Sequence, residues 1–211
     1  MTPTSGVSDA ALSFSPAMRD PGHPTNAGVE VAGAVSDAQL IALAREEPAR
    51  AFELLYATYK GRLYGFLLRI VGEPELADDL TQDVFAKALK LLPTLTSEHR
   101  VLPWLYRVAN NAAIDQLRRR SRFSWLRIGS LHGTVGEPHA ADDHGRIPEQ
   151  AHVQAVLRTL PPENASALLL HAIEGYSYKE IADIQRVTLT AVRSRIARAR
   201  SAFKERYTPE G

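Results

Sequence analysis

The feature that most constrains this chain is a helical repeat of apolar residues between positions 52 and 70. Apolar or aromatic side chains recur there at i, i+3, i+4 and i+7 for about five turns and stop at Gly72, as one buried face of a long helix requires. No segment alternates apolar and polar residues between turn signals, so the pattern predicts no strands. The chain is therefore predicted to be all-α.

Capping residues and prolines divide the rest of the chain into further helices. Ser36 and Gln39 have the spacing of a capping box and predict a short helix that ends before Pro48. Pro74 suits the first turn of a helix that Pro93 ends, and Pro103 is expected to open another that runs to about position 120. Later apolar periodicity predicts two more helices, from about 149 to 160 and from 165 to 173.

Composition divides the chain into two small helical domains. The first 35 residues are rich in small and polar residues without helical periodicity, and residues 122–148 contain four Gly, two Pro and three His. The predicted organisation is a disordered tail at 1–35, a helical domain at 36–121, a flexible linker at 122–148, a helical domain with a helix-turn-helix at 149–207 and a tail at 208–211.

Charge is distributed unevenly, although the chain has 25 basic and 24 acidic residues. Residues 73–83 contain five acids and no base, whereas 100–122 and 186–206 contain six Arg each against one acid. Two basic segments and one acidic segment predict two contacts to a polyanion and one to a basic partner. The alternative for each segment is a solvated helix face.

The C-terminal block has the plan of a helix-turn-helix. Ser177 and Glu180 form a second capping-box pattern, and Thr188 can cap a long helix a few residues after the short one. The predicted core stripe of the long helix leaves an outer face that suits base and phosphate contacts in a major groove. That face comprises Thr190, Arg193, Ser194, Ala197 and Arg198. The alternative is a helical hairpin with a solvated basic face.

A second candidate surface lies on the helix that follows Pro103. Trp104, Arg107, Asn111, Asp115 and Arg118 fall on one side at 100° per residue. An aromatic ring among bases and an amide suits single-stranded nucleic acid, and Arg119 and Arg120 would extend the phosphate-binding end. The alternative is that Trp104 is simply a core residue.

These motifs, in this order, resemble those of the extracytoplasmic-function sigma factors. The quoted segments are Asp78-Asp79-Leu80-Thr81-Gln82-Asp83-Val84-Phe85, Trp104 to Asn111 and Leu117 to Arg120 for region 2, with Leu160-Pro161-Pro162, Glu174 to Ala182 and Val192 to Ile196 for region 4. The resemblance covers about residues 37–122 and 149–207. It implies a bacterial initiation subunit that reads and opens the -10 promoter element with region 2 and reads the -35 element with region 4.

The resemblance also implies partners. It places contacts to the beta and beta-prime subunits of core RNA polymerase on Asp78, Asp79, Leu80, Asp83, Val84 and Phe85. Promoter DNA would contact Trp104, Arg107, Asn111 and Arg118 to Arg120 at -10, and the outer face of the last helix at -35. An anti-sigma factor is implied as a further partner. The chain departs from the family at Gln185-Arg186, where Leu-Gly is usual, so a non-Gly residue is expected to take a left-handed conformation.

Other functional classes find less support in the sequence. With no Cys there is no thiolate metal site or disulfide, and no GxSxG, HExxH or Gly-rich phosphate loop organises a hydrolase, so neither enzyme nor cofactor is predicted. The linker histidines (His132, His139, His144, with His152) could form a metal sensor but are better explained as solvated side chains. No stretch is long enough to span a membrane and no secretory signal is evident, so a cytoplasmic protein is expected. The second candidate function is a helix-turn-helix regulator that binds duplex DNA without polymerase.

Overall fold

The computed structural model describes residues 35–128 and 148–206. Those residues form eight α-helices and one 3-10 turn, Leu92–Thr94, with no strand among them, so the all-α prediction is confirmed. The helices are α1 (Asp37–Glu46), α2 (Pro48–Val71), α3 (Pro74–Leu91), α4 (Val101–Ile128), α5 (Pro148–Arg158), α6 (Pro162–Ala172), α7 (Tyr178–Gln185) and α8 (Leu189–Arg206).

Local capping chemistry sets several of these boundaries as predicted. Ser36 and Gln39 form the expected capping box at the start of α1. Gly72 ends α2 with φ 78°, in the left-handed region where a residue without Cβ is favoured. Pro74 then occupies the first turn of α3, where its missing N–H has no helical partner to lose.

The first domain, α1 to α4, is built around the long apolar face of α2. Leu55, Leu63 and Leu67 of that face are buried against α3 and α4. The helix α4 begins at Val101, two residues before Pro103, which was expected to open it. Pro103 therefore lies within the first turn, where a proline is tolerated. It also continues to Ile128, so the helix extends beyond the predicted domain boundary at 121.

The second domain contains α5 to α8. The predicted core stripe of α8 is buried as expected and consists of Val192, Ile196, Ala199 and Phe203. Two helices begin earlier than predicted: α5 at Pro148 rather than 149 and α6 at Pro162 rather than 165. In both cases a proline forms the start, which agrees with the preference of proline for the first helical turn.

The two domains are in direct contact. The helix α4 packs against α6 and α7, and α2 packs against α5 and α6, so the buried residues of both domains form one continuous cluster. The predicted tails and linker residues 129–147, including His132, His139 and His144, lie outside the described residues. Within residues 35–128 and 148–206 there is no helix suited to crossing a bilayer and no cluster of metal-ligating side chains.

Candidate nucleic-acid interface

The helix-turn-helix is formed by α7 and α8. The Ser177 side chain accepts from the Glu180 amide and the Glu180 side chain accepts from the Ser177 amide, as the capping-box pattern predicted. Arg186 follows α7 with φ 52°, so a non-Gly residue does take the left-handed conformation expected at this turn. The hydroxyl of Thr188 accepts from the Ala191 amide at 3.2 Å and caps α8.

The outward face of α8 lies where the sequence placed it. Thr190, Arg193, Ala197 and Arg198 are exposed, and Ser194 is half-buried. Arg195 behaves differently, because its Nη1 donates to Oε1 of Gln185 at 2.7 Å. The guanidinium groups of Arg193 and Arg198 therefore lie on the outward face of α8, the face that was predicted to contact DNA.

The acidic segment forms part of the surface of α3, but its apolar neighbours do not. Asp79 and Asp83 are exposed, and Asp78 is half-buried and accepts from Gln82 Nε2 at 2.8 Å. Three predicted polymerase contacts are instead core residues: Leu80, Val84 and Phe85, the last only 1% exposed. They are buried because α3 packs against both α2 and α4, and their contact with polymerase stays a prediction.

Phe85 shows what these buried side chains do. Its ring lies edge-on to Tyr56, with 4.8 Å between centroids, and edge-on to Phe52, with 6.2 Å between centroids. Edge-to-face pairs at this spacing stabilise packing beyond the burial of their area. The ring therefore holds α3 to α2 and is not available at the surface.

The candidate single-strand surface on α4 is also changed by the structure. Trp104 is only 9% exposed and belongs to the core, so it does not present a stacking platform in this arrangement. Asn111 and Arg119 are exposed. Arg118 forms an ion pair with Glu163 of α6, and Arg120 forms one with Glu73 before α3.

Arg107 lies in a cleft between the two domains. It is half-buried, and its Nε is enclosed without a hydrogen-bond partner among the described residues. The cleft is also lined by Arg186 and Thr188, just before the start of α8. A residue predicted to contact the -10 element thus faces the beginning of the helix predicted to read the -35 element.

Several buried polar residues that the sequence did not single out lie between the domains. Tyr106 donates to the carboxylate of Glu174, and Ser166 donates to Asn110. These partners are 68 and 56 positions apart in the chain. Periodicity places Tyr106 and Asn110 one turn apart on α4, but no local pattern identifies partners at such separations.

Burial and ion pairs change the acidity of groups at this interface. Burial raises the pKa of Tyr106, and the adjacent Glu174 carboxylate raises it further, so the phenol stays protonated. Burial alone would raise the pKa of Glu180, but hydrogen bonds from Ser177 and Arg100 outweigh it and lower that pKa below its usual value. The pKa of Glu163 is lowered in the same way, by its own backbone amide and by Arg118 against the effect of burial.

Comparison with known proteins matches both halves of the chain. The Sigma-70 region 2 family matches residues 55–123, and the Sigma-70 region 4 family matches residues 151–203. The RNA polymerase sigma-H factor of Pseudomonas aeruginosa is 32% identical over 82% of this chain and 94% of its own length. The sigma factor CarQ of Myxococcus xanthus is 31% identical over 76% of this chain and 91% of its own.

Solved structures agree with the fold. CnrH, in complex with the cytosolic domain of CnrY, is 28% identical with a TM-score of 0.58, over 80% of this chain and 95% of that one. RpoE of Bartonella quintana, in complex with the anti-sigma factor NepR, is 24% identical with a TM-score of 0.60, over 74% and 96%. Two matched regions in order, with relatives matched over nearly their whole length, show that this chain belongs to the extracytoplasmic-function family of RNA polymerase sigma factors.

Proposed function

We propose that the first domain binds core RNA polymerase and the -10 element, and that the second domain reads the -35 element. The observation that carries this division of roles is that the region 2 and region 4 matches fall on separate helical domains, each with a basic helix. Phosphate contacts from such helices supply affinity, and side chains at base edges supply specificity. The chain then acts as a binding subunit without catalytic residues of its own, in the cytoplasm where the chromosome lies.

For the -35 element, the outward face of α8 provides the contacts. Arg193 lies one turn after the Thr188 cap, at the helix end that enters a major groove in helix-turn-helix complexes. Its guanidinium can pair bidentately with guanine. Arg198, further along the helix, is placed to neutralise phosphate, with Thr190, Ser194 and Ala197 completing the face.

For the -10 element, the contacts come from α4. Asn111 is exposed and can bond the edge of an unpaired base, and Arg119 is exposed beside it for phosphate. Arg107, Arg118 and Arg120 complete the set of proposed contacts. Each would exchange the protein surroundings that it has in this structure for contacts with DNA. Trp104 is left out of the stacking role because it is a core residue in this structure.

For core polymerase, the acidic surface of α3 is the proposed contact. Asp78, Asp79 and Asp83 give a negative rim that suits a basic partner surface on the beta and beta-prime subunits. An anti-sigma factor is the further proposed partner. It is supported by RpoE of Bartonella quintana, which was solved bound to one.

Run-off transcription with core polymerase on genomic DNA of the same bacterium tests the proposal. New transcript 5′ ends that appear only when this chain is added, preceded by shared -35 and -10 sequences, would support it. Footprints on duplex DNA in the absence of polymerase, without new transcripts, would favour the polymerase-independent regulator instead.

A further inference from the structure

A large apolar side chain is exposed at the start of α8. Leu189 is the first residue of that helix and is 40% exposed. Val187, two positions earlier, is instead half-buried and packs against the core. Leu189 was predicted neither for the core stripe of α8 nor for its outer face. Single exposed apolar residues are common on protein surfaces, so the position of Leu189 in the fold decides what it can do.

Leu189 lies at the end of α8 that enters a major groove in helix-turn-helix complexes, where the first residues of the second helix contact base edges. The preceding residue, Thr188, accepts from the Ala191 amide at 3.2 Å and so fixes the start of the helix. Leu189 and the exposed Thr190 are then the first two side chains of α8 that the groove would meet.

Leu189 also lies beside the side chain proposed to read a base. Arg193 follows it by four positions, which places the two side chains about 40° apart around the helix axis, with Cβ atoms about 5–6 Å apart. Both side chains are exposed. Successive base pairs of B-DNA are about 3.4 Å apart, so Leu189 and Arg193 can reach bases that are one or two base pairs apart.

The chemistry of a leucine side chain selects its target on the DNA. Leucine neither donates nor accepts a hydrogen bond, whereas guanine, cytosine and adenine are distinguished in the major groove by donors and acceptors. Thymine adds an apolar group there, its C5-methyl. Contact between this methyl and the leucine side chain removes apolar surface of both from water. A polar base edge facing Leu189 would instead lose water without gaining a partner.

We propose that Leu189 is a specificity-determining residue for the -35 element and that it selects a thymine through the C5-methyl group of that base. The thymine lies one or two base pairs from the base that Arg193 contacts. This inference rests on the proposed function of the second domain, and it adds an apolar contact beside the guanidinium of Arg193.

Deoxyuridine tests the contact, because it pairs with adenine as thymine does but lacks the C5-methyl. In a promoter identified by run-off transcription, each thymine of the -35 element, on either strand, is replaced in turn by deoxyuridine. Core polymerase with the full chain bound is then titrated with each duplex. The wild type should lose about fourfold in affinity at one position, which is the factor for burying one methyl-sized group. Leu189→Ala should bind the thymine and deoxyuridine duplexes of that position equally.

Ile173→Ala is the matched control. This side chain is also large, apolar and exposed, at 51%, but it lies just after α6 rather than on α8. The control should keep the fourfold effect of deoxyuridine. For each protein the compared quantity is the ratio of two affinities, so a general effect of a substitution on folding or assembly cancels.

The absence of any thymine at which deoxyuridine weakens binding by the wild type would overturn the inference. An equal loss in the wild type and Leu189→Ala would overturn it as well, because the methyl would then contact another residue. Insensitivity to deoxyuridine together with weaker core-polymerase binding by Leu189→Ala would assign the side chain to a protein contact instead. If the wild type binds the -35 duplex no more tightly than a scrambled duplex, the proposed function fails, whereas a preserved preference without a methyl effect defeats only the role of Leu189.

Discussion

Replacing Tyr106 by Phe isolates one buried hydrogen bond between the two domains. The substitution removes the hydroxyl that donates to Glu174 and keeps the ring between Phe66, at 5.1 Å, and Tyr176, at 5.5 Å. The packing of the first domain is therefore preserved. The change acts on the closed state, in which the two domains are in contact as in this structure, because in an open state, with the domains apart, water satisfies both the phenol and the carboxylate.

The size of the effect follows from the burial of the acceptor. A hydrogen bond to a charged group contributes about 1.5–3 kcal/mol, and Glu174 is almost fully enclosed, so the loss belongs within this range. At about 1.4 kcal/mol per factor of ten, the ratio of closed to open molecules should fall by roughly 10- to 150-fold. A larger fraction of Tyr106→Phe molecules should then have separated domains than in the wild type.

Single-molecule energy transfer measures this ratio directly. Dyes on Ala57→Cys in α2 and Lys204→Cys in α8 report the separation of the domains, since both positions are exposed and the chain has no other thiol. Tyr64→Phe is the matched control, because it removes the same hydroxyl from a half-buried tyrosine of the same domain. An unchanged closed fraction in Tyr106→Phe, or an equal change in the control, would refute the reasoning.

Three further predictions concern the other surfaces. Arg193→Ala should reduce discrimination between bases at one position of the -35 element by about 1–3 kcal/mol, measured as binding to single-base variants of that element. Arg198→Ala should weaken binding to all of these variants evenly, and the reverse pattern would exchange the two roles. Asp79→Lys combined with Asp83→Lys should weaken co-purification with core polymerase and alter its salt dependence, and wild-type retention would remove α3 from the contact. The pKa of Glu180 in the folded state lies below its usual 4.5, so the stability that its carboxylate contributes is present above about pH 4.5 and is lost as the pH falls further. The unfolding free energy of Glu180→Gln, measured by urea denaturation, should therefore decline less steeply in acid than that of the wild type.

Local signals in the sequence were enough for the helices and their ends. A capping box such as Ser36 with Gln39, or a left-handed glycine such as Gly72, acts within a few residues and leaves its mark there. The exposed face of α8 could be predicted for the same reason, because its buried stripe has the helical period. The left-handed conformation of Arg186 was expected from the resemblance, because the family usually has glycine at this turn.

The sequence could not predict how many other helices each helix packs against. Phe85 was predicted to lie at a surface, and Trp104 at a surface or in the core, because an apolar or aromatic residue beside charges can serve either a core or an interface. Their burial results from α3 and α4 packing on more than one helix, which is a property of the whole domain. The pairing of Tyr106 with Glu174 depends on the arrangement of two domains and has no local signature.

The end of α2 has a double constraint. Carbonyl groups at a helix C-terminus lack partners within the helix, and here Gln154 donates to the carbonyl of Arg69 at 2.9 Å, while Arg158 donates to that of Gly72, both from the other domain. A Cβ on Gly72 would lie 2.2 Å from Arg158 Nε, so a larger residue there would displace the guanidinium from the Gly72 carbonyl. Asparagine tolerates the left-handed φ but still carries that Cβ. Among related chains, a strict glycine at this position would record selection for the contact between the domains, whereas glycine exchanging with asparagine would record selection for the turn alone.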